Sequence, residues 1–131
     1  MKAPTVTPAH RLGDLQLRIM KILWDRAEAT VSEVVEALGP KLGLAYTTIA
    51  TMLRKMEARG LLRHRADGRT FVYQALVKED AVTLSMAEHL LDRLFEGSLS
   101  GLVSHLLHSR EVSPQELERL EKLIAGRKHQ A

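Results

Sequence analysis

Cysteine is missing from the 131 residues, which rules out disulfides and thiolate metal sites and fits a reducing interior. Aromatic residues are scarce, at 4%, so the core has to be assembled from the Leu, Val, Ile, Met and Ala that dominate an apolar fraction of 45%. No apolar run reaches the ~18–20 residues of a membrane-crossing helix, and the opening MKAPTVTPAH lacks the apolar segment of a signal peptide. The expectation is therefore a cytoplasmic protein with no membrane insertion. A Gly-rich phosphate loop, a nucleophile elbow and a recognisable metal-ligand motif are also absent, so neither an enzyme nor a cofactor is expected.

Charge, by contrast, is plentiful and unevenly spread. Residues 1–76 hold 12 Lys and Arg against 7 Asp and Glu, net +5, whereas residues 77–131 hold 7 against 9, net −2. Between Arg54 and Arg69 there are 6 basic residues and 2 acidic ones. A basic first part joined to a mildly acidic second part fits a nucleic-acid-binding module followed by an assembly module.

The stretch Tyr46–Gly60 carries most of the information. Ile49, Met52, Leu53 and Met56 fall at i, i+3, i+4 and i+7, one apolar stripe of a helix. Tyr46 opens it, and Thr47, Thr48, Thr51, Arg54 and Lys55 occupy the other side, hydroxyls first and cations behind. Gly60 supplies a left-handed helix end. Such a face suits a DNA groove; an ordinary amphipathic helix with a solvated basic face would read the same way. The neighbours decide between the two. A first helix is predicted over Asp14–Arg26, with Leu15, Ile19, Ile22 and Leu23 inward and Trp24 as a core anchor. Thr30-Val31-Ser32-Glu33 is a capping box that starts a short helix, stopped by Gly39-Pro40. Three successive helices with the last two closely joined make a helix-turn-helix.

After it, LLRHRADGRTFVYQAL reads as a β-hairpin with a type I′ turn at Asp67-Gly68, which needs positive φ at both positions. That turn pairs His64 with Phe71 and Leu62 with Tyr73 on one face, and Arg65 with Thr70 and Arg63 with Val72 on the other. The aromatic face is expected to pack on the helices, with Arg63 and Arg65 outward and Arg69 at the tip. The fold class is thus mainly α with a small β-hairpin wing: a winged helix-turn-helix domain at 11–76, after a flexible arm at 1–10. The remainder, 77–131, reads as three helices. They run from Lys78 to Glu96, from Leu99 to His108, and from a Ser113-Pro114 start to Gly126. Leu90, Leu91, Leu94, Leu102, Leu106, Leu117, Leu120, Leu123 and Ile124 offer more apolar surface than about 50 residues can bury internally. A symmetric homodimer is the commonest way to cover such a surplus.

These residues resemble the BlaI/MecI/CopY family of penicillinase-repressor-type transcription regulators. The resemblance rests on Leu12-Gly13, Ile19-Met20 and Leu23-Trp24, then Val31-Ser32-Glu33-Val34, then Ala45-Tyr46-Thr47-Thr48-Ile49 with Thr51-Met52-Leu53. It continues through Lys55-Met56 and Gly60-Leu61 to a wing ending in Tyr73. It implies a homodimeric repressor on double-stranded DNA at a palindromic operator. It also implies that Tyr46, Thr47, Thr48, Thr51, Arg54 and Lys55 belong to the helix that reads bases, and that Arg63, Arg65, Arg69 and Thr70 belong to a wing that holds phosphates. Copper-responsive members carry a cysteine-rich tail, so that branch is excluded. The β-lactam-responsive members are cut by a membrane-bound protease sensor at an Asn-Phe bond. Here His105-Leu106 stands at the corresponding place, which counts against such a partner. Two rival readings stay open: a metal-responsive winged-helix sensor using His105 and His108, three residues apart on one helix face, and a winged-helix protein–protein scaffold.

Overall fold

Apolar residues recurring at the helical period give the first helix, α1 (Asp14–Arg26), whose Ile19, Met20 and Leu23 are buried in the computed structural model, which describes residues 12–130. The arm read at residues 1–10 lies outside the described residues. Strand β1 (Glu28–Thr30) follows, then α2 (Val31–Leu38), a single 3-10 turn at Pro40–Leu42, α3 (Tyr46–Ala58), β2 (Leu62–Asp67), β3 (Thr70–Ala75), and the helices α4 (Glu79–Phe95), α5 (Leu99–Ser109) and α6 (Pro114–Gln130).

Local chemistry sets the boundaries. The capping box at Thr30 is present in both halves: Thr30 Oγ1 accepts from the Glu33 N–H at 3.1 Å, and Glu33 Oε1 accepts from the Thr30 N–H at 2.8 Å. At the far end of α3, Gly60 takes φ 81°. The Leu61 N–H then reaches the Met56 carbonyl at 3.1 Å and the Gly60 N–H the Glu57 carbonyl at 2.9 Å, a Schellman closure that aims the chain into β2.

β1 was not foreseen. It adds a third antiparallel strand in the order β1-β3-β2, with Ala29 opposite Tyr73. The hairpin register also differs from the predicted one. Asp67 pairs with Thr70, Arg65 with Val72, His64 with Tyr73 and Leu62 with Ala75. The turn is centred on Gly68-Arg69, with positive φ at Gly68 (63°) and not at Arg69. That is the requirement of a II′ turn, not of the I′ turn expected at Asp67-Gly68. Moving the turn by one residue shifts every partner by two, so the grouping of side chains by face survives.

By packing, the chain divides into two units, residues 1–89 and 90–131. The division falls inside α4, whereas the sequence boundary was drawn at 77. Val82, with no exposed surface, belongs to the core of the first unit, and Met86 packs against it, so the start of α4 is held there. That core centres on Ile19, Leu23, Val34, Ile49, Leu53 and Tyr73. Trp24 is only partly buried; its indole N–H donates to the Val77 carbonyl at 2.9 Å and ties α1 to the segment leading into α4. In the second unit α5 is capped by Ser98, whose Oγ accepts from the Gly101 N–H at 3.0 Å, and a Cβ at position 101 would meet that same oxygen at 3.0 Å. Gly126 does not end the last helix, which runs on to Gln130. A helix interior tolerates a glycine at a cost of about 1 kcal/mol, and without a positive φ there is no stop.

Candidate nucleic-acid interface

Helix α3 buries Ile49, Leu53 and Met56 completely and leaves Tyr46, Thr47, Thr48, Thr51, Arg54 and Lys55 exposed. Met52, assigned to the inner stripe, is only partly buried; its sulfur lies 3.5 Å from Gln16 Nε2. The exposed side has two flanks. Thr47, Thr48, Thr51, Met52 and Lys55 line one shallow depression. Tyr46, Ala50 and Arg54 turn instead toward the hairpin, where a cleft of about 260 Å³ is completed by Arg69, Thr70, Phe71 and Tyr73 and by the start of α2. Arg54 bends back along its own helix, and its Nη2 donates to Thr51 Oγ1 at 3.2 Å.

A hydrogen bond between side chains fastens the hairpin to the helix. His64 Nδ1 donates to the Glu57 carboxylate at 2.8 Å, and the His64 ring stacks on Phe71 with centroids 4.1 Å apart. Sequence reasoning placed both aromatics of this face against the helices. Tyr73 is buried as expected, but Phe71 is 45% exposed, since its place nearer the tip carries it past the helical core. Burial, and after it the nearby Glu57 carboxylate, pushes the Tyr73 hydroxyl above its usual pKa, so it stays a neutral phenol on the cleft wall.

The wing cations do not form one group. His64 faces α3, so Arg63 and Arg65, its neighbours along β2, project from the opposite face of the sheet. There Arg65 Nη2 donates to Glu28 Oε1 at 2.8 Å, Gln74 Nε2 donates to Glu28 Oε2 at 3.0 Å, and Arg63 Nε donates to Gln74 Oε1 at 3.2 Å. The hydrogen bond from Arg65, then that from Gln74, holds the Glu28 carboxyl below the ordinary carboxylate value, so Arg65 sits beside a full negative charge. The structure therefore brings Arg69 and Thr70 to the α3 set and leaves Arg63 and Arg65 apart from it. Sequence reasoning missed Glu28, whose partners lie up to 46 residues away, and it missed the Glu57–His64 fastening. A short apolar-flanked EAT carries no strand signal of its own.

In the second unit, His108 Nδ1 donates to the Ser104 carbonyl at 2.6 Å and the His105 ring meets Phe95 edge-on. Among the described residues no group of three or more His, Cys, Asp or Glu is placed to hold a metal ion. No helix among them is long and apolar enough to cross a membrane.

The family model described as penicillinase repressor matches residues 12–126. The chain belongs to the penicillinase repressor family. Its members are transcriptional repressors, and this chain is a DNA-binding repressor of the BlaI/MecI type, not an enzyme. It is 32% identical over 117 residues to the transcriptional regulator BlaI of Mycobacterium tuberculosis, covering 88% of this chain and 83% of that one. To the penicillinase repressor of Bacillus licheniformis it is 27% identical over 119 residues, 91% of this chain and 93% of the relative. The solution structure of the DNA-binding domain of the repressor BlaI superposes with a TM-score of 0.50 at 30% identity, covering 56% of this chain and 89% of that domain. Winged helix-turn-helix is thus the fold of this repressor's DNA-binding part.

Proposed function

We propose that the repressor acts in the cytoplasm as a homodimer on a palindromic operator, with α3 in the major groove of each half-site. The exposed row of hydroxyls and cations along α3 carries this reading. Thr47, Thr48, Thr51 and Lys55 can offer methyl groups to thymine and hydrogen bonds to base edges, with Tyr46 at the helix start. Arg69 and Thr70 serve the sugar–phosphate backbone, which fixes orientation and supplies salt-dependent affinity. Arg63 and Arg65, whose donors are engaged by Gln74 and Glu28, contribute through the general positive field.

Leu90, Leu94, Leu106, Leu117, Leu123 and Ile124, all exposed, with Leu91, Leu102 and Leu120 partly so, supply the dimer contact in this reading. Two linked heads would then span successive major grooves, ~34–36 Å apart. Weakening the dimer releases DNA, because the second half-site is no longer bound intramolecularly. A membrane-bound protease sensor is the least supported partner: His105-Leu106 replaces the family's cleavage pair and lies inside α5, where cutting needs an unwound helix.

Fluorescence anisotropy of the full chain on the DNA upstream of its own gene, at two salt concentrations and beside a scrambled duplex, tests the reading. Tighter, salt-sensitive binding to the native duplex is the expected result. Equal weak binding to both would remove that stretch as the operator, and no binding to either at low salt would overturn the repressor reading in favour of a protein scaffold.

A further inference from the structure

The cleft between α3 and the hairpin holds two arginines with no acidic partner among the described residues. Arg54 stands three residues before Glu57, a spacing at which helical ion pairs normally form. Glu57 is taken by His64 instead, and Arg54 is turned to the Thr51 hydroxyl. Among the described residues neither Arg54 nor Arg69 has a carboxylate within 4.0 Å, in contrast to Arg65, which has Glu28. Both line the same cleft of about 260 Å³, with the phenol of Tyr46 and the hydroxyl of Thr70 beside them. Two guanidinium groups at one opening repel each other unless an anion lies between them, and their planar forks match the paired oxygens of a phosphodiester.

We propose that this cleft takes one phosphodiester of the DNA backbone between Arg54 and Arg69, and that Thr51 is a positioning residue that holds Arg54 there. The inference rests on the reading of α3 as the groove-entering helix. With a helix in one groove and a wing over the next, the sugar–phosphate strand dividing the two grooves passes between them, which is where the cleft lies. Arg54 is thereby reassigned from base reading to backbone holding. Thr51 is reassigned with it, so discrimination between sequences is left to Thr47, Thr48 and Lys55 of the separate flank.

Full-length R54Q, R69Q, R54K and T51V would be titrated by anisotropy on the native and the scrambled duplex over a series of salt concentrations. R54Q and R69Q are each expected to weaken both duplexes by the same factor and to lower the slope of log affinity against log salt by about one. R54K keeps the charge and so the slope, while losing affinity with the fork. T51V, which removes the hydroxyl and keeps the bulk, gives a smaller uniform loss that vanishes in the R54Q background. The clamp is overturned if R54Q erodes only the preference for the native duplex at unchanged slope, which would make Arg54 a base reader. It is equally overturned if R54Q and R69Q leave both affinity and slope unchanged. The wild-type preference judges the repressor reading separately, because the slopes can be measured on the scrambled duplex alone.

Discussion

The two units of this chain are built on opposite terms. In the first, eleven large side chains lie below 2% exposure, and α1, α2, α3, the sheet and the start of α4 share one closed core. In the second, none of the described residues 90–130 is buried, while Leu94, Leu99, Leu123 and Ile124 are each more than half exposed. Similar amphipathic helices can therefore end in a finished core or in an unfinished one. The first unit adds a sheet that closes over its helices; the second has only α5, α6 and the end of α4, with an open cleft of about 470 Å³ lined by Val103, Leu106, Leu107 and Leu120. Hydrophobic free energy scales with area removed from water, so the second unit by itself has gained far less of it than the first.

The comparison can be broken most sharply in the first core. Leu53→Ala removes a fully buried side chain at the centre of α3 and is expected to cost roughly 2–5 kcal/mol of unfolding free energy, independent of protein concentration, in urea titrations. Leu123→Glu, at a position 66% exposed, is expected to leave the melting of the first unit unchanged. It should weaken self-association on the order of tenfold or more, as seen by sedimentation velocity over a concentration series. A concentration-independent loss of stability in Leu123→Glu would mean that the second unit is complete by itself. A smaller effect comes from Thr30→Ala, which frees the Glu33 N–H at the start of α2 and should cost about 1 kcal/mol.

The smallest is electrostatic. Glu28 has a folded pKa below its ordinary value of 4.5, so its contribution is present above that value and disappears as the pH falls through the folded pKa. Glu28→Gln should therefore lower the melting temperature slightly at pH 7, with the difference from the wild type closing below the ordinary carboxylate range. A difference that stays constant down to pH 2 would show that the Arg65 pairing is not its source.

What could be read locally was read. Helices α1, α2 and α3 announce themselves through a 3.6-residue stripe, a Thr30–Glu33 box and a Gly60 stop, all of which act within a few residues. The hairpin was legible in its faces but not in its register, because Asp67, Gly68 and Arg69 permit two turns one residue apart. Which of the two was adopted shows only in the pairing of the strands themselves, with Asp67 opposite Thr70. Gly126 misled for a related reason: a glycine allows a stop without demanding one.

The sequence by itself determined the family, the helix-turn-helix and wing, and the exposed row of Thr47, Thr48, Thr51, Arg54 and Lys55, since periodicity and capping are short-range properties. Tertiary structure alone decided which cations are available. Arg65 is matched by Glu28 from another strand and Glu57 accepts a hydrogen bond from His64 of the hairpin, while the described residues lining the cleft of Arg54 and Arg69 include no carboxylate. Charge compensation depends on distance in space, and no spacing along the chain reports it.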